Sequence, residues 1–255
     1  MEKALKLLPL GTSDFENLRH RDQIYVDKTD LICELASVPG KFFFARPRRF
    51  GKSLLLSTFE SLFRDGLKNF QGLKIEQLWT DKSTYKVIKL DFSRVKPEGT
   101  FEDFCQYFDN YLEAQFSLIG FKKEDNGLFL SNQIEIFLAG LSSSSLVLLI
   151  DEYDAPLTAC LDNKEFFERV RNYLSRFYGI LKANDRVLRF LFITGITKFN
   201  KTSIFSELNN LSDVSLSPRF GTLLGYTHEE VETYFDGYLT QSASVLSVSR
   251  DELLR

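Results

Sequence analysis

Three consecutive residues, Gly51, Lys52 and Ser53, carry the clearest chemical signal in this sequence. They follow the apolar residues 42–44 and precede the apolar residues 54–56. An apolar strand, a tight loop and a helix opening at Lys-Ser form the arrangement in which proteins bind nucleoside triphosphates. The helix N-terminal amides and the positive end of the helix dipole face the phosphates. The lysine then reaches the β- and γ-phosphates, and the serine hydroxyl ligates Mg²⁺.

The loop departs from the usual G-x-x-x-x-G-K-[ST] pattern at its first position. Arg46 stands where the first glycine is expected. The loop therefore has one residue fewer that can adopt a positive φ without strain. Two interpretations are open from the residues. Either Arg46 has an ordinary conformation and Pro47 sets the bend, or the segment is a basic surface loop and not a phosphate cradle.

A second signal follows later in the chain, at Asp151 and Glu152. Both come directly after residues 146–150, an apolar run that is too short for a helix and is typical of a strand buried on both faces of a parallel sheet. An aspartate at the end of such a strand can hold Mg²⁺, and an adjacent glutamate can polarise the attacking water. Together with the upstream loop, this pair favours hydrolysis of a nucleotide.

Strands and helices alternate around these motifs. Besides the runs before Gly51 and Asp151, strands are predicted at residues 87–92, 189–195 and, as a shorter candidate, 213–217. Amphipathic stripes predict helices at residues 100–120 and 164–181, the first with a capping box at its start. This alternation implies an α/β layered domain with a mainly parallel sheet.

Composition restricts the classes of protein to which the chain could belong. Its 255 residues fit one large domain or one domain with an appendage, and 25 Phe can fill a substantial core. The net charge is −3, and the dense basic cluster of Arg46, Arg48 and Arg49 is explained by nucleotide phosphates without nucleic acid. No apolar run is long enough to predict a membrane span. Three widely spaced cysteines indicate buried free thiols in a reducing compartment, which favours the cytoplasm.

These motifs together resemble the AAA-ATPase-like family of bacteria and archaea. The matching segments lie between about residue 10 and about residue 235. They are residues 25–29, 46–54, 90–93, 151–156, 194–196, 203–211, 224–227 and 229–231. In this family R-P-R-R-F-G-K-S is the ordinary form of the phosphate loop, so the resemblance makes Arg46 a family trait.

The resemblance implies a three-layer P-loop fold of the additional-strand, catalytic-glutamate division, with a mainly parallel five-stranded sheet. The Thr194 strand would then lie between the phosphate-loop strand and the Asp151 strand. ATP or ADP and Mg²⁺ are the implied ligands. Glu152 and Lys52 are assigned to catalysis, and Ser53 and Asp151 to the metal. The predicted nucleotide-binding residues are Arg46, Pro47, Arg48, Arg49, Phe50, Gly51, Lys52, Ser53 and Leu54.

For Thr194, residues 25–29 and Arg219, two interpretations of the role remain open. Thr194, with Thr197 or Lys198, is a candidate catalytic sensor of the γ-phosphate, but a strand-end hydroxyl bonded to backbone is an equal alternative for Thr194. Residues 25–29 lie near the nucleobase or cap a helix through Asp27 or Thr29. Arg219 is a candidate arginine finger or a surface ion-pair partner.

We expect three parts in the chain: a lead segment at 1–40 that packs on the core, an ATPase core at 41–225 and a helical extension at 226–255. Thr227 and Glu230 predict a capping box for a helix through about Leu239, and residues 251–255 resemble a helix cut short. In the family a restriction-endonuclease-like nuclease domain generally follows. Since this sequence lacks it, we expect a truncated chain or a naturally shortened homologue, and we assign no nuclease chemistry.

The sequence thus predicts Mg²⁺-dependent binding and hydrolysis of ATP that regulates or drives a partner or nuclease domain. The alternative is a nucleotide-dependent switch or interaction module with little turnover of its own. A small-molecule kinase is disfavoured, because a phosphoryl acceptor would make the water-orienting Glu152 superfluous. Nucleotide preference and oligomeric state are left open.

Overall fold

Five parallel strands form the centre of the protein. The computed structural model describes residues 5–196, 208 and 210–254. The strands are β1 (Gly40–Ala45), β2 (Lys86–Asp91), β3 (Leu146–Asp151), β4 (Leu188–Gly195) and β5 (Ser212–Asp213). They are ordered β2-β3-β4-β1-β5, and all neighbours are parallel. The predicted α/β fold with a five-stranded parallel sheet is confirmed, and β4 lies between β1 and β3 as the family resemblance implies.

The fifth strand is shorter and earlier than the sequence predicts. It covers Ser212–Asp213 where residues 213–217 were expected. Val214 still donates its N–H to the Phe43 carbonyl at 3.0 Å. The next amide, that of Ser215, donates instead to the Asp213 carboxylate at 3.0 Å. The strand ends there because a local side chain replaces the neighbouring strand as the hydrogen-bond partner.

Helices lie on both faces of this sheet. In the described ranges they are α1 (Phe15–His20), α2 (Thr29–Ser37), α3 (Lys52–Asp65), α4 (Phe101–Ser117), α5 (Leu130–Ala139), α6 (Ala155–Thr158), α7 (Lys164–Ala183), α8 (His228–Tyr234), α9 (Asp236–Leu246) and α10 (Arg250–Leu253). None of these helices has the length and apolarity that crossing a membrane requires. The two long helices predicted from amphipathic stripes correspond to α4 and α7.

Helix starts were predicted better than helix ends. The capping boxes at Thr100 and at Thr227 are both present, each with the side chain three residues later bonded back to the cap. The predicted single helix through about Leu239 is wrong, because α8 ends at Tyr234 and α9 begins at Asp236. Phe235 lies between them with φ −111° and ψ 13°, outside helical geometry.

Alternating side chains of β3 enter two separate apolar cores. Leu146, Leu148 and Ile150 pack in the core beneath α4, α5 and α7. Val147 and Leu149 pack in the core beneath α1, α2 and α3. All five are fully buried. This double burial is the reason that the strand reads as a continuous apolar run, and it fixes the carboxyl end of β3 against both helical layers.

The three cysteines are free thiols. Cys33 and Cys160 are buried, but Cys105 is only half-buried, so the expectation of three buried thiols is wrong for Cys105. Burial raises the pKa of Cys160 to about 11. Burial, reinforced by the charge of nearby Asp109, raises the pKa of Cys105 to about 11 as well. Both thiols therefore remain protonated near neutral pH.

Phe59 of α3 tests how strongly the sheet holds this helix. Its ring centroid lies 5.0 Å from those of both Phe190 and Phe192 on β4. Phe59→Ala should lower the free energy of unfolding by about 3–5 kcal/mol, measured by urea denaturation, because it leaves a cavity between layers. Phe129→Ala, at a side chain that is 81% exposed, should change it by less than about 0.5 kcal/mol. Equal losses would contradict this packing.

Candidate functional site

The loop between β1 and α3 bends near its end and not at its start. Arg49 and Gly51 have positive φ angles of 66° and 92°, and Gly51 is the N-cap of α3. Arg46 continues the strand, donating its N–H to the Gly195 carbonyl at 3.1 Å. Arg46 thus has an ordinary conformation, as the first interpretation required. The residues of the loop with positive φ are Arg49 and Gly51, which come after Pro47.

The Arg46 side chain is directed away from the helix start. Its guanidinium donates to the carbonyls of Ser215 at 2.6 Å and Ala45 at 2.9 Å. It also lies 4.3 Å from the centroid of the Phe44 ring. Arg46 therefore ties the end of β1 to the segment after β5. Sequence reasoning placed it among the nucleotide-binding residues and gave no signal of this structural contact.

Lys52 is buried within the loop that it follows. Its Nζ donates to the carbonyls of Arg46 and Pro47, each at 3.0 Å. The side chain is only 5% exposed, yet it lines the cavity described below. The ammonium is therefore held where the loop curls around it, at the N-terminus of a helix of 14 residues.

Ser53, Asp151 and Thr194 meet at the carboxyl edge of the sheet. The Ser53 hydroxyl donates to Asp151 Oδ2 at 2.5 Å, and the Thr194 hydroxyl donates to Asp151 Oδ1 at 2.5 Å. Thr194 also accepts the N–H of Glu152 at 3.3 Å. Asp151 is buried and Thr194 is fully buried. The structure thus joins the two predicted metal ligands directly, and it directs the Thr194 hydroxyl at Asp151.

Glu152 is half-buried beside this cluster and also lines the cavity. Burial raises the pKa of its carboxyl above the ordinary value of 4.5, and the charges of Asp151 and Asp91 raise it further. The positive charges of Lys52 and Arg48 oppose these effects without cancelling them. A carboxylate with a raised pKa is a better proton acceptor, which suits a group that orients a reacting water.

A cavity of about 1020 Å³ opens beside the loop. Its walls come from three separate parts of the chain. Their lining residues fall within 9–32, 49–58 and 221–227, together with Glu152. Polar groups of Lys52, Ser53 and Glu152 share this cavity with apolar side chains such as Val26 and Leu223. This combination of convergent polar groups with apolar walls is typical of small-molecule sites.

The segment at 221–227, which we name the strap, contacts the loop directly. A Cβ placed on Gly225 would lie 3.5 Å from the Phe50 ring, and one on Gly51 would lie 3.6 Å from Leu224. The strap runs into α8. Both the phosphate loop and α8 are therefore in contact with the same short segment of chain.

Two contacts fasten α8 to the lead segment. Lys28 Nζ donates to the two carboxylate oxygens of Glu230 at 2.7 and 2.8 Å. The Tyr234 hydroxyl accepts the N–H of Asp27 at 3.2 Å. Glu230 has a second role in α8, because its carboxylate also accepts the Thr227 N–H in the capping box. Sequence reasoning found the capping box but missed Lys28, since nothing local marks a partner 202 residues away.

Residues 25–29 divide between the two roles considered for them. Tyr25 and Val26 line the cavity. Asp27 instead supports the start of α2, accepting the N–H and the hydroxyl of Thr29 at 3.0 and 2.6 Å. Its other oxygen accepts the N–H of Lys74 at 2.8 Å. Lys28 also lines the cavity. It is the N-cap of α2 and makes no side-chain capping bond, so the predicted cap by Asp27 or Thr29 is wrong, although Asp27 binds the first residue of the helix from the position before the cap.

Arg219 forms a surface ion pair in this structure. Its guanidinium donates to the two carboxylate oxygens of Glu34 on α2, at 3.0 and 2.8 Å from Nε, and both side chains are exposed. Arg219 is also absent from the residues that line the described cavity. This geometry favours the ion-pair interpretation over an arginine finger. Thr197, Lys198 and most of the matching segment 203–211 lie outside the described residues.

Comparisons with known proteins agree with the family resemblance. The AAA-ATPase-like family, described as "Predicted AAA-ATPase", matches residues 9–205 of the chain. A curated relative from Azotobacter chroococcum mcd 1, named "Uncharacterized protein in vnfD 5'region", is 32% identical over 233 residues. The match covers 90% of this chain and 45% of the relative, so the chain spans under half of that protein's length. No solved structure matches.

The Lys28–Glu230 pair should contribute measurably to stability. Lys28→Met removes the charge and keeps the capping box, leaving a largely buried carboxylate without its cation. We expect the free energy of unfolding at pH 7 to fall by about 1–3 kcal/mol, between the values for exposed and buried pairs. Lys6→Met, which removes an exposed pair with Asp22, should have no measurable effect in the same denaturation experiment.

The effect of Lys28→Met should depend on pH in a definite direction. Burial raises the pKa of Glu230, but hydrogen bonds from Lys28 and Thr227 outweigh it and hold that pKa below the ordinary value of 4.5. The stabilisation is therefore complete above pH 4.5 and is lost as the pH falls through the lower folded-state pKa. A difference between wild type and variant that grows with acidity would contradict this assignment.

Proposed function

The chain belongs to the AAA-ATPase-like family, and from that premise we propose that it binds ATP with Mg²⁺ and hydrolyses it. The observation that carries the proposal is the 2.5 Å hydrogen bond between the Ser53 hydroxyl and the Asp151 carboxylate. It brings the start of the phosphate-loop helix to the end of β3, where Glu152 follows. Family membership supports an ATP-related activity, and this contact supports the metal-dependent hydrolysis.

The donor atoms at this contact suit Mg²⁺. A hydroxyl and a carboxylate supply the hard oxygen ligands that Mg²⁺ prefers, and Mg²⁺ sites in proteins commonly use one or two carboxylates together with substrate phosphates. Ser53 and Asp151 would hold the ion. When bound, Mg²⁺ supplies positive charge that neutralises the triphosphate. Thr194 acts through Asp151 in this proposal, fixing the carboxylate with its 2.5 Å hydrogen bond and not touching phosphate itself.

The loop supplies the remaining contacts to the triphosphate. Main-chain amides at the start of α3 and the ammonium of Lys52 face the same cavity, where phosphate oxygens would replace the loop carbonyls that Lys52 now contacts. Arg48 and Arg49 are exposed beside the loop and add positive charge. The apolar part of the cavity wall, which includes Val26 and Leu223, suits the flat face of a nucleobase.

Glu152 accepts a proton from the attacking water in this proposal and orients that water. Its carboxyl shares the cavity with Lys52 and Ser53, and its raised pKa increases its basicity. The base must be ionised to act, and the nearby charges of Lys52 and Arg48 favour its ionised form.

The strap favours a second candidate function, that of a nucleotide-dependent switch with little turnover. Because the strap contacts both the phosphate loop and α8, a ligand in the cavity would bias the position of the C-terminal helices. Turnover and switching are compatible in one protein. As the family resemblance implies, we further propose that the nucleotide state regulates or drives a partner or nuclease domain.

Single-turnover phosphate release from Mg·ATP, at protein concentrations above that of ATP, tests the proposal. Wild type should release phosphate at least about 100-fold faster than Glu152→Gln, because removal of a general base costs about 10²–10⁴-fold. Lys52→Ala should instead lose nucleotide binding, measured by calorimetry. Glu102→Gln, at an exposed glutamate on α4, should match wild type. Bound ATP with no release above Glu152→Gln would favour the switch.

The release rate should rise with pH and level off above the pKa of Glu152. Burial and Asp151 raise that pKa in the protein without ligand, whereas Mg²⁺ bound at Asp151 would lower it, so the expected result is the inflection itself and not its position. The protonated form below the midpoint cannot accept a proton from water, which fixes the direction of the change. A rate profile measured by rapid quench should lose this inflection in Glu152→Gln. An inflection that persists in the variant would assign it to another group.

A further inference from the structure

The backbone at Glu152 adopts a conformation that the surrounding structure must hold. Its φ is 49°, in the left-handed region that a residue with a Cβ rarely adopts. Two hydrogen bonds to Thr194 of β4 secure this turn. The Glu152 N–H donates to the Thr194 hydroxyl at 3.3 Å, and the Tyr153 N–H donates to the Thr194 carbonyl at 3.0 Å. Such conformations persist where neighbouring groups over-determine them, and they concentrate at functional sites.

A buried carboxylate completes this attachment on the far side of the turn. Asp154 is only 1% exposed, and its Oδ2 accepts the N–H of Ile196, the residue after β4, at 3.0 Å. Asp154 is also the N-cap of α6, and its backbone carbonyl accepts the N–H of Thr158 at 2.8 Å. Burial of a carboxylate is costly unless hydrogen bonds compensate it. The Asp154 carboxylate therefore joins the turn after β3 to Ile196, the residue that follows β4.

Close packing at Gly195 keeps the two segments in register. A Cβ on Gly195 would lie 2.6 Å from the Tyr153 ring and 3.1 Å from Asp154 Oδ1. The ring of Tyr153 is fully buried and meets Phe43 of β1 edge to face, with centroids 5.4 Å apart. Only glycine leaves room for this approach. The end of β4 thus touches both residues that follow Glu152.

We propose that Asp154 is a positioning residue for Glu152. Hydrogen bonds to Thr194 hold the N–H groups of Glu152 and Tyr153, and the Asp154–Ile196 bond holds the next residue of the turn. Together they prevent residue 152 from relaxing to an extended conformation that would turn its carboxylate away from Lys52 and Ser53. Asp154 is not among the residues that line the described cavity, so it acts through Glu152 and touches no nucleotide. This inference rests on the proposed function of Glu152.

Asp154→Ala and Asp154→Asn separate the hydrogen bond from the charge. In single-turnover phosphate release, Asp154→Ala should be about 10–100-fold slower than wild type, the size of loss that misplacing a catalytic group causes. Its affinity for Mg·ADP should stay within about twofold, because the loop is untouched. Asp154→Asn keeps an acceptor oxygen and should recover most of the rate.

Gly195→Ala provides a second test if Asp154→Ala does not fold. The added methyl displaces the Tyr153 ring, so the rate should fall while affinity for Mg·ADP is kept. Wild-type rates in both Asp154→Ala and Gly195→Ala would overturn the inference alone, provided that wild type still exceeds Glu152→Gln. Equal losses in Asp154→Ala and Asp154→Asn would also overturn it. A wild type no faster than Glu152→Gln would overturn the proposed function and this inference with it.

Discussion

The hydrogen bond between Ser53 and Asp151 is the contact on which the candidate site depends. It spans 98 positions of sequence and joins the first turn of α3 to the last residue of β3. The contact is possible because β1 and β3 are parallel and open their carboxyl ends at the same edge of the sheet, with β4 between them. β4 also contributes Thr194, which holds the second oxygen of Asp151. The order of the strands, the conformation of the loop before α3 and the orientation of the Asp151 carboxylate therefore depend on one another.

The parts of the fold with a local sequence signature were predictable. Continuous apolar runs such as residues 146–150 reveal strands buried on both faces, because each side chain must suit an apolar core on its own side. Gly51, Lys52 and Ser53 predicted the helix that follows the β1 loop, and Gly51 is its N-cap with a positive φ. The capping boxes at Thr100 and Thr227 involve residues three positions apart, so they too are readable from sequence.

Features that depend on distant partners were not predictable. Thr194 was considered as a sensor or a backbone-bonded hydroxyl, but its partner is a carboxylate 43 residues away. Arg46 was assigned to nucleotide, whereas its guanidinium binds the carbonyl of Ser215, 169 residues later. The pair of Lys28 and Glu230 spans 202 positions. No periodicity or spacing encodes such contacts, because the fold alone brings the partners together. The break at Phe235 likewise follows no residue type that marks a helix end.

The same geometry connects the candidate chemistry to the rest of the molecule. The cavity takes its walls from the lead segment, the phosphate loop and the strap, so occupancy of one site involves three distant parts of the chain. On the other side of Asp151, the turn that carries Glu152 is anchored to β4 by Thr194 and Asp154. Hydrogen bonds to β4 therefore hold the turn that carries Glu152. The Lys28–Glu230 ion pair joins α8 to the lead segment, which lines the cavity.

The most direct test of the account is the affinity for Mn²⁺ in the presence of saturating ADP, measured from the electron paramagnetic resonance signal of free Mn²⁺. Asp151→Asn should weaken Mn²⁺ binding at least about tenfold, as expected when the shell of groups around a metal is altered. Asp125→Asn is the control, because Asp125 is an exposed aspartate in the segment between α4 and α5. Its affinity should equal that of wild type. Unchanged affinity in Asp151→Asn, or equal losses in both variants, would contradict the assignment of the metal to Ser53 and Asp151.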